Sequence, residues 1–168
     1  VEPVLAPPGR VARGPLAYEH PRNWIVSHGE APDADHAHDA IDSACGTQLE
    51  IFTYPAERSL EEEISATLDL MLDEHEPVGE PKPVERWGGF EGRGFRLVHR
   101  DETGNSRLTC LVAPAGDGRT IEIWETVPVD AVERAEPGLD LIRGTLELRE
   151  PPAPAADVQP SGRPRLRF

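Results

Sequence analysis

Extended segments joined by tight turns occupy residues 83–127 and constrain the fold of this chain more than any other stretch. Polar and apolar residues alternate through 94–100 and 119–127, a period of two that is typical of strands with one buried face. The segment 107–113 is mostly apolar and predicts a more buried strand. The intervening turns hold glycine, asparagine and aspartate, with Asp117-Gly118 as the strongest turn signal. Because short turns join antiparallel neighbours, we predict an antiparallel meander.

Four glycines, Gly88, Gly89, Gly92 and Gly94, stand at the entrance to this meander. One interpretation is structural, since glycine is used where a strand bends, bulges or approaches another backbone closely. The alternative is a phosphate-binding loop, which requires a strand–loop–helix context. No helical pattern follows these glycines, so we favour the structural interpretation.

The clearest helix signal begins at Ser59. Ser59 and Glu62 match the Ser-x-x-Glu capping box, in which each side chain accepts a hydrogen bond from a free N–H of the first turn. Glu61 and Glu63 add negative charge where the helix dipole favours it. An apolar stripe at helical spacing predicts the face that packs on the sheet. Its members are Leu60, Ile64, Leu68, Met71, Leu72 and His75.

A strand before this helix is predicted over residues 47–54. Leu49 and Ile51 fall opposite Phe52 and Tyr54, so we expect this strand to be covered on both faces. Farther upstream, Trp24 marks a first strand and a core position.

A second helix is predicted over residues 137–148, because Pro137 suits a first helical turn and Leu139, Ile142 and Leu146 recur at helical spacing. Together these elements predict an α+β fold, mainly an antiparallel β-sheet meander packed against two α-helices, with disordered N- and C-terminal arms.

Prolines divide the chain into a central domain and two ends, since most of the 18 prolines fall in 1–32, 77–83 and 151–164. We predict a flexible N-terminal arm over residues 1–15, one α+β domain over 16–148 and a disordered tail over 149–168. The tail ends in Arg-Pro-Arg-Leu-Arg-Phe. Its arginines would either bind a partner or only solubilise the tail.

The net charge of −14 argues against nucleic acid and against anionic membrane surfaces, because both require a basic patch. It suits a soluble surface or a basic protein partner. No apolar run is long enough to predict a transmembrane segment, and no signal sequence opens the chain. Since residue 1 is Val1 rather than methionine, the compartment, cytoplasmic or exported, stays open, as does the oligomeric state.

An acidic loop over residues 29–39 is the best candidate metal site. His36 and His38 stand two apart, with Asp33, Asp35 and Asp39 around them. Zinc would need further ligands at a recognisable spacing, and calcium would need the spaced carboxylates of an EF-hand. The alternative is a solvated polar loop, so the sequence assigns no metal ligand.

Two cysteines, Cys45 and Cys110, lie in or beside predicted strands. In an exported protein they could form a disulfide, and in a cytosolic one they would be small buried hydrophobes. Neither has a neighbouring base in the sequence, and none of the six histidines lies in a nucleophile–base motif. We therefore predict no enzymatic activity and no cofactor.

The order of these elements resembles the PsbP/DcrB-like α/β/α sandwich family across residues 16–148. The resemblance rests on four motifs. They are Pro21-x-x-Trp24, the helix from Ser59 to His75, Gly89-x-x-Gly92 followed by Gly94, and Pro137-Gly-Leu-Asp-Leu-Ile142. The 29–39 loop and both arms depart from the family pattern, and a lipid-attachment cysteine at the N-terminus is absent from the sequence.

The resemblance implies a non-enzymatic role. Members of the family include accessory subunits of photosystems, small bacterial lipoproteins, a nuclear-transport regulator and chaperones for secreted bacterial effectors. We therefore expect an accessory domain that presents a sheet face or edge to a protein partner. The alternatives are a secretion-associated chaperone for an effector, and a metal- or small-ligand-binding domain that uses the 29–39 loop.

Overall fold

The computed structural model describes residues 1–30, 36–102 and 104–150. Within these ranges the chain forms eleven strands and two α-helices. In order they are β1 (Gly9–Arg13), β2 (Leu16–His20), β3 (Ile25–His28), β4 (Ala37–Asp42), β5 (Gln48–Pro55), α1 (Leu60–Glu74), β6 (Glu76–Pro77), β7 (Lys82–Trp87), β8 (Phe90–Asp101), β9 (Gly104–Pro114), β10 (Arg119–Pro128), α2 (Val132–Thr145) and β11 (Glu147–Leu148).

The main sheet has the strand order β3-β4-β5-β10-β9-β8-β6, and β7 also pairs with β8. Its pairs are antiparallel, and the predicted meander is the succession β8, β9 and β10 at its centre. The strands β1, β2 and β11 form a separate, smaller sheet in the order β1-β2-β11. The predicted α+β class, with a mainly antiparallel sheet and two helices, is confirmed.

The turns and glycines of the meander follow the structural interpretation. Asp117 and Gly118, with φ of 51° and 72°, take the left-handed backbone in the turn between β9 and β10. Gly88 and Gly89 form the hairpin turn between β7 and β8. At Gly92, a Cβ atom would overlap the carbonyl oxygen of Val112 in β9, so a larger residue would push these strands apart.

Helix α1 begins as predicted. The Ser59 side chain accepts from the backbone N–H of Glu62, and the Glu62 carboxylate accepts from the backbone N–H of Ser59, which completes the capping box. The helix lies over β6, β8 and β9. Met71 is buried there, but Leu72, predicted to lie in the same stripe, is exposed, because the covered face runs through Ile64, Leu68, Met71 and His75.

Helix α2 begins five residues earlier than predicted and ends at Thr145. Ala135 extends the buried face of Leu139 upstream, so the packing favours helix before Pro137. The residues 147–148, predicted to be helical, instead form β11 and pair with β2. The chain therefore forms the short strand β11 directly after α2.

Two segments predicted to be irregular contain strands. Gly9–Arg13, placed in the flexible arm, form β1 and pair with β2 from Gly9↔His20 to Arg13↔Leu16. Residues 37–39 of the predicted acidic loop belong to β4, which pairs with β5. Neither strand has a strong period of its own, and each is stabilised by the backbone hydrogen bonds of its partner. The predicted tail beyond residue 150 lies outside the described residues.

The main sheet separates two hydrophobic cores. One lies between the sheet and the layer of α2 with β1 and β2, and it includes Trp24 and Leu139. The other lies beneath α1 and includes Met71, Phe95 and Cys110. Neither helix within the described ranges is long and apolar enough to span a membrane.

Candidate functional site

The sheet face that α1 packs against is only partly covered. Helix α1 lies over β6, β8 and β9, whereas β3, β4, β5 and β10 carry no helix on that side among the described residues. We call this surface the open face. The pairing registers and the alternation of side chains assign it these residues: Ile25, Ser27, His38, Ala40, Asp42, Gln48, Glu50, Phe52, Tyr54, Glu122, Trp124 and Thr126.

Aromatic rings run across the middle of the open face. The His38 and Phe52 rings stack with their centroids 4.2 Å apart and their planes 9° from parallel. Phe52, Tyr54 and Trp124 are all half-buried. At the sheet edge, Ile25 is 68% exposed. The expectation that β5 is covered on both faces is therefore wrong on the Phe52 side, because α1 packs over β8 and β9 instead.

Two carboxylates are held among these rings. Glu122 accepts a hydrogen bond from Trp124 Nε1 at 2.5 Å and another from the Tyr54 hydroxyl at 2.8 Å. Glu50 Oε1 lies 3.3 Å from His38 Nε2. Burial, and then the hydrogen bond and charge of Glu122, raise the pKa of Tyr54 well above its ordinary value, so its hydroxyl remains a donor.

The open face is acidic. Its carboxylates are Asp42, Glu50 and Glu122, and within the described strands β3, β4, β5 and β10 no lysine or arginine points to it. Where the face meets the start of α1, Arg58 lines a neighbouring hollow together with Glu57 and Glu63.

Two shallow hollows share Phe52 and Tyr54. One, of about 240 Å³, is lined by Glu50, Phe52, Tyr54, Glu122 and Trp124. The other, of about 420 Å³, is lined by Glu30, His36, Ala37, His38, Phe52, Thr53 and Tyr54. The hollows adjoin at Phe52 and Tyr54 and together extend from β10 across β5 to β4, and we call the two the groove.

The candidate metal ligands are divided between the two sides of β4. His38 points to the open face, whereas the neighbouring Asp39 is buried on the opposite face. There Asp39 accepts from the Tyr18 hydroxyl at 2.9 Å and lies 2.6 Å from His28 Nδ1. Asp33 and Asp35 lie outside the described residues.

His36 reaches the rim of the groove on the His38 side. Within the described ranges, no group of three or more histidine, cysteine, aspartate or glutamate side chains is arranged to hold a metal ion.

Both cysteines are free thiols, so the structure favours the reduced alternative. Cys110 is buried beneath α1, and this burial, followed by the charge of Glu122, raises its pKa. Cys45 lies in the turn between β4 and β5, 3.1 Å from the Ser43 hydroxyl and 3.6 Å from that of Thr47. Burial opposes its ionisation, but these hydrogen bonds outweigh it and lower the pKa of Cys45.

A buried ion cluster on the other face of the sheet was not predicted from the sequence. Glu125 is 0% exposed. Its carboxylate accepts from Trp87 Nε1 at 2.8 Å, from Arg143 Nη2 at 2.6 Å and from Arg107 Nη2 at 3.2 Å. Arg143 also bonds Glu136 of α2, and its guanidinium lies 5.7 Å from the centre of the Trp87 ring.

The cluster ties α2 to the sheet. The one available signal in the sequence is a glutamate at an otherwise apolar position of β10, between Ile123 and Val127.

The antiparallel sheet with its two helices is an α+β domain of PsbP-like fold, and two solved structures share it. The chain is similar to LpqN from Mycobacterium tuberculosis, described as involved in cell envelope biogenesis, with a TM-score of 0.54, 8% identity, and 84% of this chain and 85% of LpqN covered. It is also similar to CyanoP, the cyanobacterial PsbP of Synechocystis sp. PCC 6803, with a TM-score of 0.53, 9% identity, and 84% and 92% covered.

At such low sequence identity, the structural similarity establishes the fold alone. It confirms the PsbP-like part of the predicted resemblance. No protein-family model and no curated protein sequence matches the chain.

Proposed function

We propose that this chain is a non-enzymatic accessory domain that binds a protein partner through the open face. The observation that carries the proposal is a sheet surface with four half-buried or stacked rings, His38, Phe52, Tyr54 and Trp124, and no helix over it among the described residues. Such aromatic residues are enriched at the energetic centres of protein interfaces. The PsbP-like fold, shared with LpqN and CyanoP, supports an accessory role.

The chemistry of the face also favours binding over catalysis. Both oxygens of Glu122 accept hydrogen bonds from aromatic side chains, which fixes the carboxylate but gives it no nucleophile to activate. The groove is shallow and broad, and therefore suits an extended segment of protein better than an enclosed small molecule.

A chaperone for a secreted effector is the second candidate, and a DcrB-like relationship would accompany it. The observation that favours it is Ile25, which leaves apolar surface on the edge strand of the open face. A chaperone would hold unfolded segments of its client, whereas an accessory domain would bind its partner folded.

Site-specific photocrosslinking in the native host tests the main proposal. A benzophenone amino acid at position 52 reports on the open face, and the same group at the exposed Glu85 of β7 is the control. We expect a protein adduct at position 52 and none at position 85. After the adduct is identified and the complex rebuilt from purified proteins, Phe52→Ala should weaken binding about tenfold or more. Equal crosslinking at both positions, or unchanged affinity, would refute the proposal.

A further inference from the structure

We infer that the open face recognises arginine side chains in an extended segment of its protein partner, with Glu122 and Trp124 as the principal contacts. The inference rests on the proposed function and names the chemistry of the partner. It follows from a comparison of two tryptophan–glutamate pairs within this one chain.

The first pair already holds an arginine. Trp87 donates through Nε1 to Glu125, and Arg143 both bonds the Glu125 carboxylate at 2.6 Å and lies over the Trp87 ring at 5.7 Å. Besides its bonds to Glu136 and Asp140, the guanidinium thus has the Glu125 carboxylate for its N–H groups and the Trp87 ring for its plane.

The second pair has the same hydrogen bond without the cation. On the open face Trp124 donates through Nε1 to Glu122 at 2.5 Å, and Tyr54 fixes the other oxygen at 2.8 Å. Among the described residues no arginine or lysine bonds this carboxylate. Each carboxylate oxygen has a second lone pair, so Glu122 can accept an incoming guanidinium while it keeps both internal bonds.

Preorganisation strengthens this argument. A carboxylate already held by two hydrogen bonds loses little conformational freedom when it binds a ligand. The stacked rings of His38 and Phe52 offer a second planar surface beside Glu122, since Phe52 is its direct cross-strand neighbour. The Trp124–Glu122 pair therefore offers an arginine of the partner the same contacts that the Trp87–Glu125 pair gives Arg143 on the other face of the sheet.

The spacing of the carboxylates indicates how the ligand lies. Glu50 stands opposite Trp124, so Glu50 and Glu122 are diagonal neighbours on adjacent strands. Such positions lie about 7–8 Å apart, close to the separation of about 6.6 Å between alternate residues of an extended chain. An Arg-x-Arg segment can therefore pair both carboxylates, because no lysine or arginine of these described strands points to the open face and the basic group nearest Glu50 is the His38 imidazole, 3.3 Å away.

Fluorescence anisotropy with defined peptides tests the inference on the full chain. The probe is a labelled Arg-Thr-Arg peptide flanked by glycines, and its counterparts carry lysine or uncharged citrulline. We expect the arginine peptide to bind about tenfold more tightly than the lysine peptide, because an ammonium neither stacks nor pairs in two-pronged fashion. Binding of the citrulline peptide should be lost. Equal affinity for arginine and lysine would overturn the inference.

Substitutions locate the binding. Glu122→Gln and Glu50→Gln should each weaken the arginine peptide about fivefold or more, while the exposed Glu85→Gln should change it by less than about twofold. Circular dichroism checks that each variant is folded. If Glu122→Gln alters the fold, Glu50→Gln still decides the outcome. Unchanged affinity in the Glu50 variant, or in a folded Glu122 variant, would refute the inference.

The chain's own Arg163, Arg165 and Arg167, outside the described residues, have the same alternation. If changing all three to serine raises the peptide affinity more than about tenfold, the tail occupies the open face and a partner does not.

Different results would refute the proposed function and the arginine inference. A position-52 crosslink that the arginine peptide does not compete away would leave the open face as a protein-binding surface of other chemistry. Loss of the crosslink itself would refute the proposed function.

Discussion

At the residue scale, Glu125 of β10 shows how one buried charge can link three other elements to its own strand. Its carboxylate is inaccessible to solvent and has three donors, from β7, β9 and α2. Removing one member of such a cluster leaves the others buried without their counter-charge. The stability of the domain therefore depends on this side chain more than its formal charge indicates.

We predict that Glu125→Gln lowers the free energy of unfolding by about 3–5 kcal/mol, because Arg107 and Arg143 keep their charges but lose the carboxylate. Urea denaturation followed by tryptophan fluorescence measures the change. Glu91→Gln is the matched control, since Glu91 pairs with Arg86 on the exposed hairpin. The control should change stability by about 0–1 kcal/mol. A Glu125 effect no larger than the control would contradict the assignment of the cluster.

The two thiols should differ in reactivity. Cys45 has a lowered pKa and lies in a partly exposed turn, whereas Cys110 is buried and has a raised pKa. We expect Ellman's reagent to modify one thiol quickly in the native protein and the second only in guanidinium. Cys45→Ser should remove the fast phase and leave the slow one. Two equal rates, or no reactive thiol before reduction, would disprove the expectation.

The position of Glu125 on the buried face, but not its partners, could be predicted from the sequence. The alternation of β10 assigns Ile121, Ile123 and Val127 to one face, and the same period places Glu125 among them. Its partners could not be predicted, because Arg143 is far along the chain and only the packing of α2 brings it near. The same holds for the open face, where Glu122 and Tyr54 meet only through the β5–β10 register.

At the element scale, local signals were reliable and packing-dependent boundaries were not. The start of α1 was predicted because the capping box is encoded within four residues. The start of α2 was not, because it depends on Ala135 packing against the sheet. Similarly, β1 forms only because β2 pairs with it, and its own residues carry little strand pattern.

The capping box permits a direct test. Ser59→Ala should lower the free energy of unfolding by about 1 kcal/mol, because the N–H of Glu62 loses its acceptor. Chemical denaturation measures this loss. Ser65→Ala, on the exposed side of α1, is the control and should be neutral or slightly stabilising, since alanine favours helix. Equal effects at both positions would show that the cap contributes nothing.

The attachment of α2 should depend on pH. Burial opposes ionisation of Glu136, but the guanidinium groups of Arg143 and Arg107 outweigh it and hold its pKa below the ordinary value of 4.5. Because the folded pKa is the lower one, the stabilisation is complete above the ordinary carboxyl range and is lost as the pH falls through the folded pKa.

Thermal unfolding between pH 7 and pH 3 tests this dependence. We expect the melting temperature to fall at the acidic end, and Glu136→Gln to make the fall shallower while lowering stability at pH 7. Glu147→Gln, at an exposed position of β11, should leave the profile unchanged. An identical slope in the wild type and the Glu136 variant would contradict the assignment.

At the scale of the whole molecule, the sequence predicted the fold class but not the distribution of cover over the sheet. Alternation predicts that a strand has two different faces, yet it does not say which strands a helix will cover. Helix α1 packs over β6, β8 and β9 rather than β5, so Phe52 and Tyr54 became a surface instead of a core. The candidate site follows from that one arrangement.

The alternation within β4, β5 and β10 also separates positions that determine binding from positions that maintain the fold. Most residues that these strands place on the open face lie between two buried residues of the same strand, as Phe52 lies between Ile51 and Thr53. Substitutions on the face, other than at Trp124 which packs against the core beneath α1, therefore leave the interior packing intact, so the binding preference can be redesigned while the fold stays the same. A small library varied at His38, Glu50, Phe52, Tyr54 and Glu122 would redirect this domain to new targets.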